Sequence, residues 1–281
     1  MEIFKHIPPL KAFLKGQKLE RRTVGFVPTM GALHPGHLAL VKASKNANDV
    51  TISSIYVNPA QFNNTNDLEK YPRTLERDAT LLQEAGCDVL FAPDNAEMYP
   101  HKATLRFDFG PLDKVMEGEF RPGHFSGVAL VVSKLFHIVE PDNAYFGRKD
   151  FQQFAVIRQL VTDLNFNLTL HCIDTLREAD GLAMSSRNQR LNTEERQLAI
   201  VFYNALQEAR QQLKTGAAMA DVKAMVRQKI DAQPHTRFEY FEVADPLNLN
   251  SLNNVKDVNQ PILCIAGYIG EIRLIDNMFL D

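Results

Sequence analysis

The stretch Val24-Gly25-Phe26-Val27-Pro28-Thr29-Met30-Gly31-Ala32-Leu33-His34-Pro35-Gly36-His37-Leu38-Ala39-Leu40-Val41-Lys42-Ala43 decides how this chain is read. Residues 24–27 have the length and apolar character of a buried strand. Residues 30–37 form a glycine-containing loop, and residues 38–43 open a helix. A strand, a Gly-containing turn and a helix N-terminus together make a natural phosphate site, where backbone N–H groups and the positive end of the helix dipole are expected to point at the anion. His34 and His37, three residues apart, can add hydrogen bonds to phosphate oxygens as charge develops there. A surface loop with incidental histidines is the alternative, and the strand–loop–helix setting argues against it.

The same alternation continues outward from that stretch. Residues 50–57 are rich in β-branched side chains and end at Asn58-Pro59. Thr74 reads as the N-cap of a helix over 75–85 that stops at Gly86. Residues 88–92 read as a buried strand, 125–139 as a helix, 143–146 as a strand, 147–150 as a turn, 150–164 as an amphipathic helix and 168–173 as a strand. Strands alternating with helices predict a parallel sheet with helices on both faces, and ligands beyond the C-terminal strand ends. The character changes near Asp180. Thr193 is read as opening a helical stretch over 194–214, broken at Thr215-Gly216, and a second helix spans 219–230. Residues 237–244, 261–268 and 271–275 read as antiparallel strands, with a tight turn at Tyr268-Ile269-Gly270. The expected organisation is an α/β domain over 1–178 and a smaller α+β domain over 179–281.

The bulk numbers restrict the function class. The 281 residues carry a formal net charge of −3, so no global basic field points to nucleic acid. The opening Met1-Glu2-Ile3-Phe4-Lys5 is followed by no long apolar segment, so no signal peptide is expected, and no apolar run reaches the length of a membrane span. Cys87, Cys172 and Cys264 are odd in number and far apart, which fits a reducing cytosol. A zinc reading of His34 and His37 lacks its other ligands, so no protein metal site is expected.

Four further clusters carry candidate chemistry. Residues 56–62 end a strand with Gln61, which offers donors and acceptors to a small polar ligand, or simply caps a turn. Residues 121–127 place Arg121 and His124 among glycines before a helix, an anion site or a capped loop. In residues 146–153, Gly147 and Lys149 at a strand-to-helix turn suit a nucleotide phosphate, and Gln152 or Gln153 can face the same pocket. A lysine at a helix start is slightly disfavoured by the dipole, which favours a functional reason for it. Residues 184–188 set two hydroxyls and a guanidinium where the two domains meet, either a mobile loop closing on a triphosphate or an ordinary cap and linker.

In combination, residues 28–37, Asn58-Pro59-Ala60-Gln61-Phe62, Tyr71-Pro72-Arg73-Thr74, Arg121-Pro122-Gly123-His124-Phe125, Phe146-Gly147-Arg148-Lys149-Asp150, Met184-Ser185-Ser186-Arg187-Asn188 and Ile272-Arg273-Leu274-Ile275-Asp276-Asn277 closely resemble, in order and over the whole chain, the pantothenate synthetase family, AMP-forming pantoate–β-alanine ligases of the nucleotidyltransferase superfamily. The resemblance implies a Rossmann-like domain with a C-terminal lid, ATP and Mg2+, a cytoplasmic location and a homodimer. It implies an ATP site at Met30, Gly31, Ala32, Leu33, His34, Pro35, Gly36, His37, Gly147, Arg148, Lys149, Asp150, Leu176, Met184, Ser185, Ser186 and Arg187. Gln61 and Gln153 match the glutamines that hold pantoate, and Gln61 also borders the β-alanine site. His37 matches the residue assigned as proton donor, with His34 and Lys149 beside it. Arg148 departs from the Glu or Gln often found between the glycine and the lysine, which bears on the local charge of the site.

The resemblance implies transfer of AMP to the pantoate carboxylate, then attack by the β-alanine amine. Read from the residues alone, the chain is a nucleotide-phosphate enzyme of the α/β class. Three rivals stand beside the ligase: a nucleotidyltransferase that releases its adenylate, a tRNA-charging enzyme, which the lack of a basic RNA-binding region disfavours, and a non-catalytic ATP sensor.

Overall fold

The computed structural model describes residues 1–63 and 65–280; Asp281, the last residue of the expected second domain, lies outside them. Six strands form a parallel sheet: β1 (Glu2–Phe4), β2 (Val24–Thr29), β3 (Val50–Ile55), β4 (Val89–Phe91), β5 (Asn143–Gly147) and β6 (Thr169–Ile173), in the order β1-β4-β3-β2-β5-β6. Side chains alternate across it as the pleat requires. Phe26, Ile52, Phe91, Ala144 and Phe146 face one core, whereas Val27, Leu90 and Tyr145 face the other. The first core is closed by α1 (Ile7–Leu19), α4 (His124–Val139) and α5 (Phe151–Asp163), and the second by α2 (Pro35–Ala47) and α3 (Leu75–Glu84).

The strand order reverses between β2 and β5. From β2 the chain runs outward through β3 to β4, then returns to build β5 and β6 on the other side. That switch point opens a crevice beyond the C-terminal strand ends. The loop after β2 carries His34 and His37, and the turn after β5 carries Lys149.

The second domain contains α6 (Thr193–Leu198), α7 (Ile200–Lys214), α8 (Met219–Asp231) and an antiparallel sheet of β7 (Thr236–Ala244), β8 (Ile262–Ile269) and β9 (Ile272–Phe279). Leu206, Val226, Phe241 and Ile265 lie in its own core, while Ala244, Ile262 and Cys264 pack into the core of the first domain. The small sheet is therefore a shared wall.

The sequence expectations need four corrections. Neither β1 nor α1 is among the expected elements. The helix expected to open at Thr193 is capped by Asn192, whose side chain accepts from the Glu195 N–H while Glu195 accepts from the Asn192 N–H. It also breaks at Ala199 into α6 and α7. The last strand runs to Phe279 rather than stopping at residue 275, and its turn from β8 is Gly270-Glu271, with Gly270 at φ +53°.

Candidate active site

The loop after β2 is anchored from below. Asp78, fully buried on α3, accepts hydrogen bonds from the backbone N–H of Ala32 (2.8 Å), that of Leu33 (2.9 Å) and the Thr74 hydroxyl (3.0 Å). The helix start is satisfied from within. His34 Nδ1 accepts from the Gly36 N–H at 3.2 Å, His37 Nδ1 accepts from the His34 N–H at 3.4 Å, and the His37 N–H donates to the His34 carbonyl. Pro35 has no N–H to offer. The expectation that these backbone amides point at an anion is thus corrected: they are occupied by a buried carboxylate and by the two imidazoles.

That wiring sets the histidines. Each accepts at Nδ1, so each ring carries its proton on Nε2 while neutral. The rings lie 4.0 Å apart, centroid to centroid. Burial, the neighbouring His37 and the Lys149 charge hold His34 down to about 3, and burial with Lys149 holds His37 down to about 4. Both present neutral N–H donors at neutral pH.

Two connected cavities occupy the crevice, with about 1270 Å³ and 690 Å³ of open space. The larger is bounded by His34, Gly36, His37, Gly147, Thr175 and Leu176, with Met184, Ser185 and Ser186 across it. Leu176 and Met184 stand side by side because the Met184 N–H donates to the Leu176 carbonyl across a short bridge between Arg177 and Ala183. The smaller cavity adds Phe62, Met116, Arg121, Phe125 and Tyr240. Met30, Gln61, Lys149, Asp150, Gln153 and Arg187 border both. Gly31, Ala32, Leu33, Pro35 and Arg148 are not on either wall. Arg148 pairs at 2.9 Å with Asp174, which is on the wall of the larger cavity, and stacks on Phe279. The charge it adds relative to Glu or Gln is paired with the Asp174 carboxylate.

The adjacent glutamines divide. Gln152 is spent on structure: its Oε1 accepts from the Glu117 N–H, and its Nε2 donates to the carbonyls of Leu112 and Val115. Those bonds brace Met116, which sits at φ +47°, a conformation a side-chain-bearing residue keeps only when its surroundings enforce it. Gln153 has no hydrogen-bond partner among the described residues. Among the described residues the Gln61 side chain receives a bond from Asn58 and donates only to the weak acceptor Met30 Sδ. His124 is structural: buried, with Nδ1 bonded to the Gln61 carbonyl at 2.8 Å.

Of the cations, Lys149 has no ion pair or hydrogen bond on Nζ among the described residues. Arg187 shares Asp67 with Arg190, each at 3.2 Å, and Ser186 is hydrogen-bonded to the buried Tyr71. Below the smaller cavity, burial alone would raise the Glu117 carboxyl. The Arg273 guanidinium, bonded to it at 2.6 and 2.7 Å, overcomes this and holds it at about 2. Arg273 also pairs with Glu239. Among the described residues no three His, Cys, Asp or Glu side chains group to hold a metal. Sequence reasoning missed Asp78 and Glu117, and gave no role to Arg273 and Asn277 within the 272–277 motif, because partners of all four lie tens to more than a hundred residues away. Their only local sign is a charged or amide side chain inside a helix or strand pattern.

A parallel sheet with a histidine pair and a lysine unpaired among the described residues at its switch point, beside the side-chain amides of Gln61 and Gln153, defines an α/β enzyme with a nucleotide-type cleft. The sequence profile of the Pantoate-beta-alanine ligase family matches residues 2–279. The chain is 48% identical over 278 residues to a pantothenate synthetase of Porphyromonas gingivalis (strain ATCC 33277), covering 99% of each, and 47% identical to one of Carboxydothermus hydrogenoformans, covering 100% of this chain and 99% of the relative. It superposes on the pantothenate synthetase of Thermus thermophilus with a TM-score of 0.93 at 44% identity, covering 100% and 99%. With the pantoate-beta-alanine ligase of Francisella tularensis, a structure complexed with beta-gamma ATP and beta-alanine, the TM-score is 0.84 at 35% identity, covering 100% and 98%. The chain belongs to the pantoate–β-alanine ligase family, and it is a ligase that forms a C–N bond.

Proposed function

We propose that the chain condenses pantoate with β-alanine in two steps at the crevice between β2 and β5, using ATP and releasing pyrophosphate and AMP. The observation that carries this reading is the convergence on one crevice of the two Nε2–H imidazoles, Lys149, whose Nζ has no partner among the described residues, and the amides of Gln61 and Gln153. In the first step a pantoate carboxylate oxygen bonds to the α-phosphorus, the bond from that phosphorus to the bridging oxygen breaks, and pyrophosphate leaves. Negative charge builds on the α-phosphate oxygens, where His34, His37 and Lys149 oppose it. Ser185, Ser186 and Arg187 are assigned to the departing phosphates, Leu176 and Met184 to the base, and Gln61 and Gln153 to the pantoate hydroxyls and carboxylate. In the second step the neutral amine of β-alanine, which Gln61 borders, attacks the acyl carbon. The acyl–oxygen bond breaks, AMP leaves and the proton of the amine passes to solvent.

Magnesium belongs to the nucleotide in this reading. Among the described residues no three-residue acidic or histidine cluster would cage an ion, so magnesium would enter with ATP and supply neutralisation of phosphate charge. The second domain, residues 179–281, is assigned as a lid that keeps water from the acyl adenylate. The three free thiols suit a reducing cytosol, and a homodimer is the assembly assigned by family. Among the described residues no helix is long and apolar enough to cross a membrane.

Isotope exchange between pyrophosphate and ATP tests the scheme. It should require pantoate and proceed without β-alanine. Exchange that demands β-alanine would replace two steps by a concerted one, and ATP binding with no exchange under any condition would leave a sensor.

A further inference from the structure

The turn that presents Lys149 is held by a residue of the other domain. Asn277, on β9 and only 4% exposed, donates from Nδ2 to the carbonyl of Arg148 at 2.9 Å and to that of Lys149 at 2.8 Å. Two carbonyl acceptors fix which end of the amide faces the turn, because only the NH2 end can serve both. Its Oδ1 is buried without a partner among the described residues. Leaving an acceptor unsatisfied costs free energy, so this orientation is retained against that cost.

Asn277 is itself fixed. Arg177 forms a two-pronged pair with Asp276, at 2.7 and 2.9 Å, and donates to the Asn277 carbonyl at 3.1 Å. The Asn277 N–H donates to Asp276 Oδ1. Arg177 directly follows Leu176 on the wall of the larger cavity. A continuous path therefore runs from that wall through Arg177 and the Asp276–Asn277 step to the backbone beneath Lys149. Lys149 Nζ has no partner of its own among the described residues, so its placement depends on its backbone.

We propose that Asn277 is a positioning residue for transfer of AMP to the carboxylate: its amide sets the Lys149 turn and makes the seating of the C-terminal sheet a condition of a correctly placed lysine. This rests on the assignment of Lys149 above. A displacement of about an ångström at a reacting group costs on the order of a hundredfold in rate.

The test uses the full chain in pantoate-dependent pyrophosphate–ATP exchange, with four variants checked by thermal unfolding. Asn277→Asp keeps the size of the side chain but removes the NH2 donor and sets a carboxylate against two carbonyls. Asn277→Ala removes both. Arg158→Ala is the control, because Arg158 joins the domains elsewhere by donating to the carbonyls of Pro246 and Leu247. Lys149→Ala tests the underlying assignment. The expected result is a fall in kcat of roughly ten- to a hundredfold for both Asn277 variants, with the KM for ATP within about twofold and Arg158→Ala near the parent. Asn277→Asp at the parent rate would overturn the proposal, since a packing role survives that exchange. So would an equal loss in Arg158→Ala, which would mean domain docking alone. Should Asn277→Asp not fold, parent-like kcat in Asn277→Ala overturns the proposal equally. Full exchange in Lys149→Ala would instead remove the site assignment and leave the Asn277 contacts as structure.

Discussion

The Nδ1 of His37 lies 3.4 Å from the backbone N–H of His34 and accepts from it, so the His37 ring keeps its proton on Nε2 when neutral. His34 does the same towards Gly36. The pair presents two neutral N–H groups, with protonation suppressed to about 3 and about 4. The exchange rate should therefore have no acid limb from these rings around neutral pH, and should lose rate only as pH falls towards about 4. His37→Gln, which keeps an N–H donor, should retain more rate than His37→Ala. A rate that falls as pH rises through the ordinary imidazole value of about 6.5, with that fall absent in His37→Gln, would assign the imidazolium instead.

Lys149→Ala should lower exchange by roughly a hundredfold or more, about 3 kcal/mol of transition-state stabilisation. Its Nζ supports no other contact among the described residues, so the melting temperature should change little. Steady-state kinetics beside a thermal melt separates the two effects.

Neighbouring glutamines should behave oppositely. Gln153→Ala removes an amide with no protein partner among the described residues, and should raise the KM for pantoate while leaving ATP binding and the melting temperature near the parent. Gln152→Ala leaves the Glu117 N–H and the Leu112 carbonyl without those bonds, takes one of two donors from the Val115 carbonyl, and frees Met116 from its brace. Each orphaned group costs roughly 1–3 kcal/mol, so that variant should melt markedly lower. Titrating pantoate against both, with melts alongside, checks the division.

Asp78→Ala should be a folding mutation with a catalytic symptom. It strips two buried N–H groups of their acceptor, a loss of roughly 2–5 kcal/mol. The loop carrying the histidines loses its anchor as well, so residual folded enzyme should turn over slowly at saturating ATP. A denaturant titration and exchange on the same preparation measure both. Parent-like turnover in the folded fraction would mean that α2 holds the loop unaided.

How much was legible in the sequence follows from where each signal lies. Strands β2 to β5 are apolar runs bounded by turn residues, and α4 carries a continuous apolar stripe; both are local signals. The first two elements are not of that kind. β1 has three residues, mostly exposed, and gains its identity by pairing Glu2 with Val89 on the distant β4. α1 begins at Pro8-Pro9, which looks like a loop although proline is tolerated in a first helical turn. β9 loses its apolar pattern at Asp276-Asn277 because those residues are satisfied by Arg177 and by the Lys149 turn. The motif histidines, lysine and glutamines could be placed from sequence, and the resemblance brought them together. Their wiring could not be read, since Asp78 is remote from its partners and nothing in Gln152-Gln153 says which one is braced.

The burial of Asp78 beneath the histidine loop has a further consequence, for product release. A cradle of backbone amides holds a polyphosphate equally well before and after cleavage, because its donors face whatever anion remains. Affinity of that uniform kind deepens the well from which pyrophosphate must escape and adds nothing to the chemical step. By committing the Ala32 and Leu33 amides to a carboxylate, this chain gives up ground-state grip. In the proposed reaction the anion is left to side chains that can move with it: two uncharged rings, one lysine and an arginine already shared with Asp67. The loop is thereby shaped for turnover more than for capture, and pyrophosphate should leave it easily.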